Sequence, residues 1–276
     1  MKKKKNELRY NGKKYAINCS WEKRAESWIN LIKNTNTCSF ENKCNVKKNI
    51  NKIKVINLLR RKDRRNSSIE NFKRVNITNY EFIEAVDGKT LTPNAELISL
   101  FKGNCFGNRQ GVIGCALSHY NLWKKLLESD FEYFIIMEDD FTIVESFKEE
   151  IEKINFEKYE TLFLGHHIHP KTPEKVKYIY RNSNKNEYIN ITIDRLKIDY
   201  FGGGTHCYSI NKNGAKKILD YINKNGIIRE IDWIFNIPKL ECFETCPHIS
   251  FAESNEIYGK EIDSDIQNIY DSIDLN

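Results

Sequence analysis

From residue 53 onward, apolar runs and helix-spaced segments take turns along the chain. IKVINL (53–58) is an apolar run of strand length, and DRRNSSIENFKR (63–74) reads as a helix with Asp63 as its expected cap. YEFIEAV (80–86) alternates with the two-residue period of a strand and closes on the turn pair Asp87-Gly88. A helix is predicted over 112–128, because Ile113, Leu117, Tyr120, Trp123 and Leu127 share one helical face. FEYFIIM (131–137) is the longest apolar strand candidate, and TLFLG (161–165) is another. THCYSI (205–210) follows three glycines. Asn211 is then placed to cap a helix reaching about residue 223, with Gly226 just past its end. Strands and helices alternating in this way predict an α/β fold built on a mostly parallel sheet flanked by helices.

Residues 1–50 break the rhythm. They are rich in Lys and Asn, with apolar side chains gathered between Trp21 and Ile32, where Trp21, Ala25, Trp28 and Ile32 fit a short amphipathic helix. The expected organisation is a basic, partly helical N-terminal extension over 1–50 ahead of one α/β domain over 51–276.

Charge sharpens this division. The 276 residues carry a net charge of +6, concentrated at Lys2 to Lys5 and between Lys43 and Arg65, whereas Glu253 to Asp274 is acidic. A basic half attracts polyanions, nucleotide phosphates among them. The first ten residues have no apolar segment after their lysines, so no secretory signal is read there. No stretch approaches the roughly 18–20 apolar residues of a membrane span. Eight cysteines without a tight framework are expected to stay reduced, which makes the cytoplasm the expected location.

The chemistry gathers at YFIIMEDDFTIV (133–144), where Glu138, Asp139 and Asp140 follow an apolar strand. Open α/β sheets bind ligands beyond the carboxyl ends of their strands. Two carboxylates about 4 Å apart repel by roughly 4 kcal/mol at an effective dielectric of 20, so such a group needs a cation, a shared proton or full solvation. Alternate residues of an extended segment point the same way. Glu138 and Asp140 can therefore clasp one ion while Asp139 turns aside. Hard oxygen ligands suit Mn²⁺ or Mg²⁺. A solvated acidic turn is the plainer alternative.

Five blocks then appear in order: KVINLLRRKDRR (54–65), FIEAVDGKTL (82–91), GVIGCALSHYNLWKKLL (111–127), IIMEDDF (135–141) and GTHCYSINKNGAKKIL (204–219). Together, over roughly residues 53–266, they resemble glycosyltransferase family 25, the lipopolysaccharide-type and procollagen galactosyltransferases. The resemblance implies a GT-A fold, a UDP-sugar donor, a divalent metal and inversion at the anomeric carbon. It matches the family's acidic metal motif to Glu138, Asp139 and Asp140. The nucleotide-sugar wall is matched by Asn57, Leu58, Arg60, Arg64, Ala85, Asp87 and Gly88, with Ser118 in the GCALSH block. The chain departs from the family pattern at Leu59 and at Val112, where the family commonly has an acid.

Each further candidate has two readings. Asp232 is either the base that accepts the proton of an attacking hydroxyl or the cap of a helix beginning at Trp233. Gly203, in the triple glycine, allows backbone to approach a sugar or phosphate, or simply makes a bend. His206 either completes the metal shell or packs beside its strand. His166, His167 and His169 line an acceptor pocket, bind a metal or form a polar loop, and His119 reads as structural. Cys242, Cys246 and His248 look like a zinc site missing a ligand and are set aside.

The expectation is a metal-dependent hexosyltransferase moving galactose or glucose from a UDP-sugar to a hydroxyl of a glycan or of a hydroxylysine-containing protein. The alternatives are a metal-dependent phosphoryl or nucleotidyl transferase and a catalytically silent binding module. Nucleic acid is not the expected partner, and the oligomeric state stays open.

Overall fold

The structure, a computed structural model, describes residues 52–169, 171–174, 191–252 and 272–275. The N-terminal extension and its Trp21–Ile32 helix lie outside the described residues, as does most of the acidic C-terminal stretch.

Seven strands form the central sheet: β1 (Ile53–Asn57), β2 (Tyr80–Glu84), β3 (Tyr133–Glu138), β5 (Thr161–Gly165), β6 (Thr192–Arg195), β7 (Cys207–Asn211) and β8 (Cys242–Cys246). Their order is β2-β1-β3-β7-β5-β8-β6. Two further strands, β4 (Phe141–Ile143) and β9 (Ser250–Ala252), pair antiparallel in a small second sheet. Strands β2, β1, β3, β5 and β8 run the same way, and β7 and β6 run against them. The sheet is thus mostly parallel by strand direction, as expected, although its hydrogen-bonded pairs divide evenly between the two kinds.

Helices cover the sheet: α1 (Lys62–Arg74), α2 (Ala95–Phe101), α3 (Gln110–Glu128), α4 (Phe147–Lys153) and α5 (Lys212–Asn225). One buried layer packs α3 and α5 against β3, β5 and β7 through Ile113, Trp123, Phe163, Tyr208 and Ile218. The other sets Phe72 of α1 and the small sheet against Val55, Met137 and Leu162. Cover on both sides explains why IKVIN and TLFLG are apolar without alternation, since strands buried on both faces read as continuous apolar runs. Lys54 is the exception in β1. Its ammonium lies 2.5 Å from Glu81 and over the rings of Phe131 and Phe134, so the buried charge is partnered.

Two local expectations need correction. Asp63 does not cap α1: the cap position is Arg61, and Asp63 sits in the first turn, paired to the Arg61 guanidinium at 2.7 Å. That pairing satisfies the carboxylate with a charged partner, a stronger hydrogen bond than a backbone amide alone offers. On α3, Leu127 is 38% exposed, and the buried stripe runs instead through Ile113, Ala116, Trp123 and Leu126. The Asn211 cap holds, its side chain accepting from the Gly214 amide, and Gly226 ends α5 at φ 71°.

Candidate active site

The parallel strands deliver their carboxyl ends to one edge of the sheet. There β1 ends on Asn57, β2 leads into Ala85–Gly88 and β3 ends on Glu138, with Asp139 and Asp140 in the turn to β4. Because β7 runs in the opposite direction, its beginning reaches this edge. The Glu138 amide donates to the His206 carbonyl at 3.0 Å, which brings Gly203 to His206 alongside the acids.

A cleft of about 790 Å³, its open mouth included, lies over these ends, within the size range of small-molecule sites. Leu58, Arg60, Arg64, Ala85, Asp87, Gly88, Ser118, Glu138, Asp139 and Asp140 all line it. Its wall is built by close approach. A Cβ on Gly88 would lie 1.8 Å from the Gln110 carbonyl oxygen, and one on Gly114 would lie 2.5 Å from that of Val86. Only glycine lets the loop after β2 press this tightly onto α3. Ser118 locks the contact by accepting from the Val86 amide at 2.9 Å and donating to the Gly114 carbonyl at 2.7 Å. Gln110 and Gly111 also line the cleft, so the amino end of the 19-residue α3 opens onto it with no side chain capping it. Such an end favours anions.

The three acids are held differently. Asp139, buried, accepts from Asn57 Nδ2 at 2.6 Å and from Arg64 at 3.1 Å. Burial pushes its carboxyl up while those two donors pull it back, and the net direction is upward. Glu138 lies 2.5 Å from the Thr205 hydroxyl, and its Oε1 is 3.4 Å from His119 Nε2. Burial raises its carboxyl too, but His119 and Thr205 outweigh the cost and hold it below the ordinary range. Asp140 reaches Arg64 only at 3.6 Å, and its buried Oδ1 has no hydrogen-bond partner. Burial first, then the Glu138 charge, push it up to about 7 against the pull of Arg64. A buried orphan oxygen in a like-charged group calls for a counter-cation or a proton, and the all-oxygen donor set fits a hard divalent ion.

Asp232 shares the Thr205 hydroxyl with Glu138. It lies in a 3₁₀ turn over Ile231–Asn236 whose cap position is Glu230, so capping is not its task. Its Oδ1 is 2.9 Å from the Thr205 hydroxyl, and Gly203, at φ 89°, packs so closely that a Cβ there would sit 3.2 Å from Oδ2. Burial and then the Glu138 charge raise its carboxyl. Thr205 has one hydroxyl proton for two carboxylates, so it donates to only one of them at a time.

Not every expected site residue meets the others. Asn57, Gly203, His206 and Asp232 are not among the residues lining the cleft. His206 is buried against Gly165 and His167, and neither ring nitrogen makes a hydrogen bond. Burial and the neighbouring histidines hold it well below the usual histidine range. Among the described residues, the His, Cys and carboxylate groups whose ligand atoms lie within 4.8 Å of one another are Cys115–His119–Glu138 and His166–Glu244–His248. Glu138, Asp140 and His206 do not form such a group. His119, read from sequence as structural, is fully buried between Tyr208 and Glu138 and also lines the cleft. Thr205, which opens the THCYSI run, has no site role in the sequence reading, and its side-chain contacts come from residues distant in the chain.

A family model described as Glycosyltransferase family 25 (LPS biosynthesis protein) matches residues 50–234, two thirds of the chain. This chain belongs to glycosyltransferase family 25. The family 25 chain is 37% identical over 227 residues to a putative glycosyltransferase of Acanthamoeba polyphaga mimivirus, covering 80% of this chain and 68% of that protein. It is also 28% identical over 190 residues to procollagen galactosyltransferase 2 of Mus musculus, and 29% over 189 residues to that of Homo sapiens. These two matches cover 63% of this chain and 28% of each relative, so the chain aligns with less than a third of the procollagen enzymes. The mixed seven-stranded sheet flanked by helices agrees with the GT-A-like fold expected of a family 25 glycosyltransferase. No described helix is long and apolar enough to cross a membrane.

Proposed function

We propose that this family 25 member transfers a hexose, galactose or glucose, from a UDP-sugar to a hydroxyl of a glycan or of a hydroxylysine-bearing protein, with inversion and with Mn²⁺ or Mg²⁺. The observation that carries the reading is the orphan Oδ1 of Asp140, buried beside an ionised Glu138 at the floor of the cleft. Glu138 and Asp140 would hold the ion, and His206, held well below the usual histidine range by burial, is the proposed third ligand. When bound, a divalent ion supplies positive charge for the diphosphate that leaves the sugar.

The chain's own residues account for the rest. Asn57 and Arg64 orient Asp139 and so the whole acidic turn. Arg60, held at 2.9 Å by Asp87, and Arg64 stand at the cleft wall as donors for phosphate oxygens, with the open amino end of α3 beside them. Leu58, Ala85 and Gly88 give the wall its apolar, close-packed surface, and Ser118 keeps it in place. Asp232 is the proposed base, taking the acceptor hydroxyl's proton on its carboxylate, and Gly203 fixes where that carboxylate points. The name of the procollagen relatives is the support for a galactosyl donor and a collagen-like acceptor. The transferase domain is taken as 51–276, with 1–50 an extension. A reducing, cytoplasmic setting agrees with Cys105, Cys115, Cys207 and Cys242 standing outside disulfides.

The test is UDP release from a panel of nucleotide sugars with Mn²⁺, run on the wild type and on Glu138→Ala and Asp140→Ala. Release from one donor by the wild type, lost in both variants, supports the reading. Equal release by the variants removes it.

A further inference from the structure

A second cluster sits at the same edge of the sheet, under the β5–β8 half. His166 follows β5, Glu244 lies in β8 and His248 follows it, and all three are at most 4% exposed. His166 Nε2 is 2.8 Å from Glu244 Oε2, His248 Nε2 is 3.6 Å from the same oxygen, and the two imidazoles lie 4.4 Å apart. The tautomer of His166 follows from its other nitrogen. Nδ1 is 2.9 Å from the His167 carbonyl, which can only accept, so Nδ1 carries a proton. In the neutral ring Nε2 would present a lone pair to a carboxylate oxygen at 2.8 Å, and two acceptors at that distance repel unless a proton or a cation lies between them. Meanwhile the Tyr200 hydroxyl, 2.5 Å from Glu244 Oε1, holds the carboxylate from behind. A ring nitrogen bound to a backbone carbonyl and a carboxylate held by a hydroxyl are the outer hydrogen bonds by which proteins orient metal ligands.

We propose that His166, Glu244 and His248 form a zinc-binding site, separate from the acidic turn, with Nε2 of each histidine and Oε2 of the glutamate as ligands. Two imidazoles and one carboxylate form a ligand set that zinc accepts, with water completing the coordination. Phe163 and Phe201 pack on His166 and wall that ligand off from bulk solvent. The site would staple the loop after β5 to β8. That loop matters to the acceptor side, because the His167 carbonyl also accepts from the Gly202 amide at 2.7 Å and the His167 amide donates to Gly203, the residue against Asp232. The inference does not rest on the proposed reaction.

The test uses the full chain carrying Glu138→Ala and Asp140→Ala, so that no metal at the acidic turn contributes. The protein is produced with zinc, dialysed against a mild chelator and analysed for zinc by atomic absorption. One zinc retained per chain, with affinity at least about tenfold weaker in His248→Asn, is expected, since even an outer hydrogen-bond partner costs that much. Retention unchanged by His248→Asn overturns the proposal. So does a zinc-free protein whose melting temperature ignores added zinc, which identifies the trio as a buried imidazolium–carboxylate pair. Should His248→Asn fail to fold, cobalt substitution of the double-variant background decides. Visible ligand-field bands of a four- or five-coordinate nitrogen–oxygen site support the proposal, and their absence overturns it.

Discussion

Asp140 and Asp232 are both pushed toward protonation, and that direction has measurable consequences. The Asp140 carboxyl, ordinarily near 3.8, keeps its proton in the folded protein up to about 7, whereas the unfolded chain releases it. The stability this proton contributes is complete below about 3.8 and is lost as pH rises through about 7. In chelator, Asp140→Asn is therefore expected to flatten the stability profile between those limits and to gain about 1–3 kcal/mol at pH 8. Urea melts at several pH values measure this, and profiles that run parallel would count against the buried, unneutralised carboxylate. Asp232→Asn keeps the shape of the turn and removes the proposed base. The expected outcome is a kcat lower by about 10²–10⁴-fold with UDP affinity unchanged, read by turnover assay and calorimetry side by side. A proportional loss of UDP binding would move Asp232 into the donor site instead.

At the scale of elements, much was legible because the features that build the donor side are local. A strand ending in acids, a Asp-Gly turn and a helix-spaced GCALSH block each announce themselves within ten residues, and parallel pairing then brings their ends together. What could not be read depends on partners distant in sequence. Thr205 meets Glu138 across 67 positions and Asp232 across 27, only because β7 enters the sheet antiparallel. His166 meets Glu244 across 78 positions, so the contact of these two with His248 leaves no local trace in the sequence. The Asp63 cap failed for a local reason, since a nearby arginine competed for its carboxylate. The α3 contact yields its own prediction. Gly114→Ala sets a methyl against the Val86 carbonyl and the Gly88 amide, so it should cost about 1–3 kcal/mol and weaken donor binding. The exposed Asn121→Ala, on the same helix, should change neither in the same melts and titrations.

For the whole molecule, the two aromatic-rich layers carry stability, and the sheet edge carries chemistry. A ligand that binds the folded chain alone raises its melting point by mass action. Manganese with UDP at about 100-fold over their dissociation constants should add about 2.7 kcal/mol, several degrees for a chain of this size. Glu138→Ala with Asp140→Ala should abolish that rise in a thermal melt while leaving the unliganded melt of similar height. A rise that persists in the double variant would separate UDP binding from the acidic turn.

The reversed course of β7 ties correct folding to competence. Its register sets Met137 opposite Cys207 and the Glu138 amide on the His206 carbonyl. Sliding that strand by a single residue would turn every side chain to the opposite face, carrying Thr205 off Glu138 and Asp232 together. Misthreaded molecules would thus be inert rather than promiscuous, and specific activity would double as a gauge of how faithfully a preparation has paired its strands.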